Sequence, residues 1–331
     1  MKKDMLFIDC LQYKNWDRDL FEEAQSSGMH AIHVTIAYWE NTKETLLNIG
    51  WWHNQFVING DLIMPVRKAE DILEAKRVGK VGIIFGFQNC SPIEDNIQMV
   101  QILHELGIRI MQLTYNNQSL LAAGCYESSD SGVTRFGKEV IKEMNRVGMV
   151  IDMSHSGERS TLEAIELSER PIAITHANPT FFHKALRNKS DDVLKAIGES
   201  RGMFGFSTYP FHLNNGSDCT LQEFCKMIAA TAEMIGIDRI GIGSDLCKKW
   251  DYSTLEWMRN GRWTKSVDYG EGSANDQAWP RQPDWFEDSK DMINIVTGLE
   301  NVGFNDEEII KVMGGNWLSF FEKSFTHANL K

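Results

Sequence analysis

Short apolar runs rich in β-branched residues alternate along the chain with longer amphipathic stretches. Each run is apolar almost throughout, which is typical of strands that are covered on both faces. The eight runs predicted as strands are residues 5–9, 31–36, 81–87, 108–114, 149–155, 171–176, 202–207 and 239–245. The stretches predicted as helices are residues 16–27, 40–56, 95–107, 134–148, 158–169, 190–200 and 220–236, with a further short unit at 62–78.

A regular alternation of strand and helix predicts a parallel sheet, and eight such units predict an α/β fold closed into a (β/α)8 TIM-like barrel. An open, doubly wound sheet is the alternative. No GxGxxG motif follows the first run, which weakens that alternative. We expect one barrel domain over residues 1–331, with the long Trp-rich stretch 246–290 capping its mouth after the eighth strand.

The composition of the chain argues against several classes of protein. The chain has 331 residues, of which 42% are hydrophobic and 24% charged, as in an ordinary globular protein. Its formal net charge of −12 argues against a nucleic-acid partner. No apolar run is long enough to span a membrane, and the first residues lack the apolar core of a signal peptide. The six cysteines form no CxxC pair and are expected as reduced thiols, so the expected compartment is the cytoplasm.

Several predicted strands end in polar or titratable residues. Asp9 ends the first predicted strand, His155 and His176 end consecutive strands, and Asp245 ends the eighth. In a barrel, the carboxyl ends of the strands converge on one mouth, where such enzymes keep their active sites. Two imidazoles and one carboxylate can bind zinc and leave a coordination position open for water. Gln88 and Tyr115, which follow the third and fourth strands, are expected at the same mouth.

Several stretches also occur in an order typical of one enzyme family. They read LTYNNQS (113–119), FGKEVIKEMNR (136–146), MNRVGMVIDMSHSGERSTLEAIELSERPIAITHANP (144–179), LRNKSDDVLKAIGESRGMFGF (186–206), IGIGSD (240–245) and MGGNWLSFF (313–321). Through these stretches the chain resembles the renal (membrane) dipeptidase family of metallopeptidases. The resemblance implies a metal-dependent hydrolase barrel, usually with two zinc ions, that often acts on dipeptides.

The resemblance also implies roles for particular residues. His155 and His176 match the two histidines of the family's second zinc. Asp245 matches an aspartate of the first zinc that also passes a proton to the leaving amine. Arg187 matches the arginine that holds the substrate carboxylate, a task that suits a guanidinium fork.

The chain departs from the family at the first metal. The family's first strand ends in D-G-H-x-D, whereas this chain has Leu11 and Tyr13 at the positions of the His and second Asp. Gln88 stands at the position of the bridging glutamate, and Tyr115 at that of a histidine that contacts substrate. A neutral amide cannot bridge two cations as a carboxylate does. We therefore expect one zinc ion, or another divalent metal, on His155, His176 and Asp245, with Asp245 alternatively left as a general base.

The residues are compatible with three functions. In the first, one metal supports hydrolysis of a C–N bond in a small carboxylate-bearing substrate, such as a dipeptide or a modified amino acid. Arg187 and Gln88 then bind substrate, Tyr115 contacts it and donates to the developing oxyanion, and Asp245 transfers the proton. The second is a non-catalytic ligand-binding homologue, and the third a metal-free acid–base lyase or isomerase. The expected partners are a small molecule and, as in many barrels of this family, a second copy of the chain.

Overall fold

Parallel strands form the centre of the molecule, in a computed structural model that describes residues 5–262 and 280–326. All eight predicted strands are present, and two short strands accompany them. The strands are β1 (Ile8–Lys14), β2 (Ala31–Ala37), β3 (Ile63–Pro65), β4 (Val81–Phe87), β5 (Ile108–Gln112), β6 (Val150–Asp152), β7 (Ala173–Ala177), β8 (Met203–Phe206), β9 (Ile240–Ile242) and β10 (Leu246–Lys248).

The sheet closes on itself. Its order is β1-β2-β4-β5-β6-β7-β8-β9, and β9 pairs with β1 where Ile242 lies opposite Asp9. The short β3 pairs with β4 outside this circle, and β10 pairs with β1. The predicted (β/α)8 barrel is therefore confirmed, and the open doubly wound sheet is wrong, because an open sheet has no pairing between its first and last strands.

Helices surround the barrel in the predicted alternation. Thr134, Ser190 and Thr220 cap three of them, since each side chain accepts a hydrogen bond from a backbone N–H three residues later. The helices are α1 (Arg18–Ser26), α2 (Thr42–Ile58), α3 (Glu70–Val78), α4 (Gln98–Glu105), α5 (Arg135–Val147), α6 (Glu158–Leu167), α7 (Asp191–Glu199), α8 (Leu221–Ile235), α9 (Tyr252–Asn260), α10 (Met292–Asn301), α11 (Asp306–Ile310) and α12 (Asn316–Ser324).

The first strand begins and ends later than its apolar run predicts. It extends to Lys14 because its buried polar side chains have partners: Gln12 Nε2 donates to Asp9 Oδ2 at 2.8 Å, and Lys14 Nζ donates to Glu23 Oε1 at 3.0 Å. Asp9 consequently lies within the strand and not at its carboxyl end.

The Trp-rich stretch 246–290 is only partly described. It begins with β10 and α9, whereas residues 263–279 lie outside the described part of the chain. Its role as a cap over the mouth, and the single domain over 1–331, stay predictions. Within the described ranges, none of the helices is both long and apolar enough to cross a bilayer.

Candidate functional site

Five of the six polar residues predicted at strand ends, all except Asp9, lie at the carboxyl ends of the barrel strands. Gln88 directly follows β4, Tyr115 follows β5, and His155 follows β6. His176 is the fourth residue of β7, and Asp245 stands between β9 and β10. The register between β7 and β8 shifts between Ile174 and Ala177, and such irregularities next to active sites re-aim side chains.

The rings of His155 and His176 meet at the barrel mouth. Their Nε2 atoms are 3.2 Å apart, and both side chains are almost completely buried. Gln88 joins them, with Oε1 at 2.9 Å from His155 Nε2. Thr35 holds this amide in orientation, because its Oγ1 accepts a hydrogen bond from Gln88 Nε2 at 2.8 Å.

Hydrogen bonds on the far side of each ring fix where its proton resides. His155 Nδ1 lies 2.7 Å from Asn116 Oδ1, an atom that can only accept, so Nδ1 carries the proton. Thr175 Oγ1 donates its own proton to Asp152 Oδ2 at 2.5 Å, and so it accepts from His176 Nδ1 at 2.8 Å. Both Nε2 atoms are consequently left with lone pairs that point into the mouth.

Electrostatics keeps both rings neutral. Burial, and then the positive charge of Arg187, lower the pKa of His155 and of His176 well below the usual value for histidine. A neutral imidazole is the form that binds a metal ion. The two rings therefore present metal-binding nitrogens at neutral pH.

The atoms that converge here fit one divalent cation. Gln88 Oε1 lies 2.9 Å and His176 Nε2 3.2 Å from His155 Nε2, so three acceptor atoms are close together, and such an arrangement is stabilised by a cation or a donated N–H. In a tetrahedral zinc site with bonds of about 2.0–2.1 Å, two imidazole nitrogens are about 3.3 Å apart. The observed separation of 3.2 Å agrees with this value. The hydrogen bonds to Asn116 and Thr175 are the outer contacts that orient ligating histidines.

Asp245 does not join the histidines in one cluster. In residues 5–262 and 280–326, no group of three or more His, Cys, Asp or Glu side chains is arranged to hold a metal ion. Asp245 has a left-handed backbone (φ 61°), and its N–H donates to Leu11 O at 3.0 Å. Burial raises the pKa of Tyr13 and of Cys247, and the nearby Asp245 charge raises both further. The Asp245 charge thus lies near Tyr13 of β1 and Cys247 of β10, and its role as the third ligand stays a prediction.

Arg187 lies beside the histidine pair and is fully buried. Its Nη1 donates to Ser154 O and its Nη2 to His176 O, while Nη2 also lies 3.3 Å from His155 Nε2. These contacts hold a permanent positive charge at the mouth. Arg187 is therefore close to both histidines, and its role in binding a substrate carboxylate stays a prediction.

Three of the four positions where the chain departs from the resembled family share one buried cluster. Leu11, Tyr13 and Tyr115 pack together, and the ring of Tyr115 stacks on that of His155 with centroids 4.2 Å apart. We call this group the aromatic cluster; its members are Leu11, Tyr13, Tyr38, Tyr115, Cys247, Leu255 and Met258. Side-chain packing thus occupies the region where the resemblance places the first metal.

Sequence reasoning missed the residues that orient the histidines. Asn116 and Thr175 lie inside the stretches that carry the resemblance, each within two residues of a predicted mouth residue. Their position directly beside Tyr115 and His176 is the signal that could have identified them. Nothing in the sequence indicates that Tyr38, which directly follows β2, reaches the same cluster.

Comparison with known proteins places these features in a family. The model of the membrane dipeptidase family (peptidase family M19) matches residues 15–253 of the chain. Among solved structures, an amidohydrolase from Pseudomonas aeruginosa is 33% identical, with a TM-score of 0.91 over 98% of this chain and 97% of that one.

Two curated fungal proteins are also similar. Dipeptidase tcpJ from Claviceps purpurea (strain 20.1) is 23% identical over 277 residues, which are 83% of this chain and 58% of that protein. Dipeptidase verJ from Clonostachys rogersoniana is 26% identical over 214 residues, which are 64% of this chain and 55% of that protein. The chain thus spans little more than half the length of these two relatives.

Proposed function

The chain belongs to the membrane dipeptidase family (peptidase family M19), and from this premise we propose that it is a metal-dependent hydrolase. Its reaction is cleavage of an amide or peptide-like C–N bond in a small substrate that bears a carboxylate, such as a dipeptide or a modified amino acid. The observation that carries the proposal is the close approach of His176 Nε2 and Gln88 Oε1 to His155 Nε2, at 3.2 Å and 2.9 Å.

One divalent cation, zinc in our proposal, would be held by His155 and His176, with Asp245 as the proposed third ligand. When bound, it supplies Lewis acidity at the barrel mouth. The neutral state of both rings and the fixed positions of their Nδ1 protons support this assignment. The aromatic cluster supports one ion instead of two, because its aliphatic and aromatic side chains replace carboxylate and imidazole ligands.

The remaining residues bind and orient the substrate. Arg187 binds its carboxylate, since a fixed guanidinium offers several N–H donors to one anion. Gln88 contacts the substrate beside His155, where its amide is held by Thr35. Tyr115, stacked on His155, donates its phenol proton toward the oxygen that gains charge. Asp245 moves a proton to the leaving nitrogen.

Two further assignments are proposals of the same kind. The six free cysteines support a reducing compartment, and we propose the cytoplasm. A homodimer is proposed from the resemblance alone.

The decisive experiment is metal analysis of protein purified without chelator. Wild-type protein should contain close to one zinc per chain and hydrolyse a panel of dipeptides and N-acyl amino acids. His155→Ala and His176→Ala should each lose the metal and the activity, whereas His53→Ala, on α2, should lose neither. Metal content that neither His155→Ala nor His176→Ala changes would refute the metal centre. Full metal occupancy with ligand binding but without turnover would favour the non-catalytic homologue.

A further inference from the structure

A cavity of about 300 Å³ lies between α2 and the carboxyl ends of β1 and β2. Four tryptophans line it together with Glu40 and Asn48: Trp16, Trp51, Trp52 and Trp250. Trp51 is 43% exposed, which is unusual for so large an apolar side chain. None of these six residues has a role in the proposed hydrolysis.

Glu40 gives this cavity an anionic wall. Its Oε2 accepts hydrogen bonds from the backbone N–H groups of Tyr38 (2.7 Å) and Trp39 (3.0 Å), and its Oε1 accepts one from Asn48 Nδ2 (3.1 Å). All three donors are neutral, and no Lys or Arg of the described residues forms a salt bridge with this carboxylate. Burial raises the pKa of Glu40, and the hydrogen bonds, which lower it, do not offset this effect. A raised pKa is expected for a buried carboxylate that lacks a counter-ion.

Asn48 adds a second acceptor. It uses both hydrogens of its amide nitrogen, one on Ile36 O at 2.9 Å and the other on Glu40 Oε1. Its carbonyl oxygen therefore remains as the atom that can accept a hydrogen bond from a ligand. Glu40 and Asn48 together favour a donor-rich, positively charged group.

The chain places one ammonium group of its own beside this cavity, and burial lowers the pKa of that group. Lys14 also lines the cavity, and its Nζ lies over the ring of Trp16, 5.3 Å from the centroid. Glu23 neutralises this lysine at 3.0 Å, and Ser289 Oγ accepts from it at 2.9 Å. Glu23, which does not line the cavity, is therefore the counter-ion of Lys14. Glu40 is left without a counter-ion among the described residues.

We propose that this cavity is a second small-molecule site, which binds a primary alkylammonium group on Glu40 and Asn48 with its alkyl chain against Trp51 and Trp250. A planar guanidinium fits less well, because a bidentate fork needs both carboxylate oxygens and Oε2 already accepts two hydrogen bonds. The site adjoins the histidine centre: Thr35 lines the cavity, and its Oγ1 holds the amide of Gln88. It does not depend on the proposed hydrolase activity.

The test is calorimetric titration of the full chain with three probes at pH 7.5: n-butylammonium, 1-butanol and methylguanidinium. EDTA is present, so that the measurement is independent of metal and turnover. We expect n-butylammonium to bind about tenfold tighter than either other probe. Equal affinity for 1-butanol would overturn the proposal, because the cavity would then be merely apolar, and tighter binding of methylguanidinium would overturn the choice of ligand.

Variants locate the binding. Glu40→Gln keeps the shape and should weaken n-butylammonium binding about tenfold, and Trp51→Leu, at a half-exposed position that tolerates change, should weaken it severalfold. Glu22→Gln, an exposed carboxylate on α1, is the matched control and should bind as wild type does. Unchanged affinity in Trp51→Leu overturns the proposal even if Glu40→Gln fails to fold. Hydrolysis without n-butylammonium binding would refute this site alone.

Discussion

Thr175 Oγ1 lies 2.8 Å from His176 Nδ1 and donates its only proton to Asp152, so it accepts the ring proton of its sequence neighbour. This contact decides which nitrogen of His176 faces the barrel mouth with a lone pair. The Thr175 hydroxyl thus determines the tautomer of the adjacent imidazole.

Thr175→Val should therefore weaken metal binding without removing a ligand. Loss of the acceptor frees the His176 ring to adopt the other tautomer, and changes in such outer contacts cost about 10–100-fold in metal affinity. Competition with a chromophoric chelator measures this affinity. Thr231→Val is the matched control, since this buried hydroxyl donates to Met227 O within α8. Equal affinities in the two variants would contradict the assigned tautomer.

Gln88→Glu should tighten the binding of one metal ion and should not create a second metal site. A carboxylate 2.9 Å from His155 Nε2 supplies the anionic donor that the histidine pair lacks, so we expect at least tenfold tighter zinc binding. Leu11, Tyr13 and Tyr115 would still fill the neighbouring region. Metal analysis should give no more than one ion per chain, and two would disprove the packing argument. Gln101→Glu adds the same charge on α4 and should have no effect.

Lys189 should make the free energy of unfolding increase with pH. Burial, and then the charge of Arg187, lower its pKa from 10.5 to about 7. Between these values the unfolded chain binds a proton on Lys189 that the folded chain does not, so its contribution to the free energy of unfolding increases with pH, by at most about 1.4 kcal/mol per pH unit.

Urea unfolding at pH 7.5, 8.2 and 9.0 measures this slope. Lys189→Met should reduce it, although the variant also loses the hydrogen bond from Nζ to Ser156 O (2.8 Å), a pH-independent cost. Lys195→Met, on α7, should retain the wild-type slope. The same slope in all three proteins would mean that Lys189 keeps an ordinary pKa.

Gly86 lies where β4 passes His33 on β2. A Cβ at this position would be 1.9 Å from His33 Nε2, and the ring cannot easily move because Nδ1 is bonded to Cys10 O at 2.9 Å. Gly86→Ala should lower the free energy of unfolding by about 1–3 kcal/mol, as overpacking does.

Gly50 provides the control. It is exposed within α2 and has open space at its Cβ position, so Gly50→Ala should raise the free energy of unfolding by about 0.5–1 kcal/mol. Chemical denaturation of both variants measures these changes. A neutral Gly86→Ala would show that His33 is free to move.

The sequence alone determined the barrel and the residues at its mouth. Apolar runs alternating with amphipathic stretches require strands covered by helices, and strands placed in parallel must bring their carboxyl ends together, which located Gln88, Tyr115, His155, His176 and Asp245. The predicted extent of β1 was wrong. Gln12 and Lys14 are polar and were predicted to lie outside the strand, whereas in the fold they bond to Asp9 and Glu23.

Only the tertiary structure decided how these residues act together. The separation of the two Nε2 atoms, the protons held by Asn116 and Thr175, and the aromatic cluster all join side chains from different strands. Thr175 and His176 are the exception, as neighbours on β7, but their contact depends on side-chain rotamers in the same way. Register, rotamer and crossing geometry decide these contacts, and a linear pattern of residue types does not specify them. The pattern fixes which residues reach the mouth, whereas packing fixes which atoms meet there.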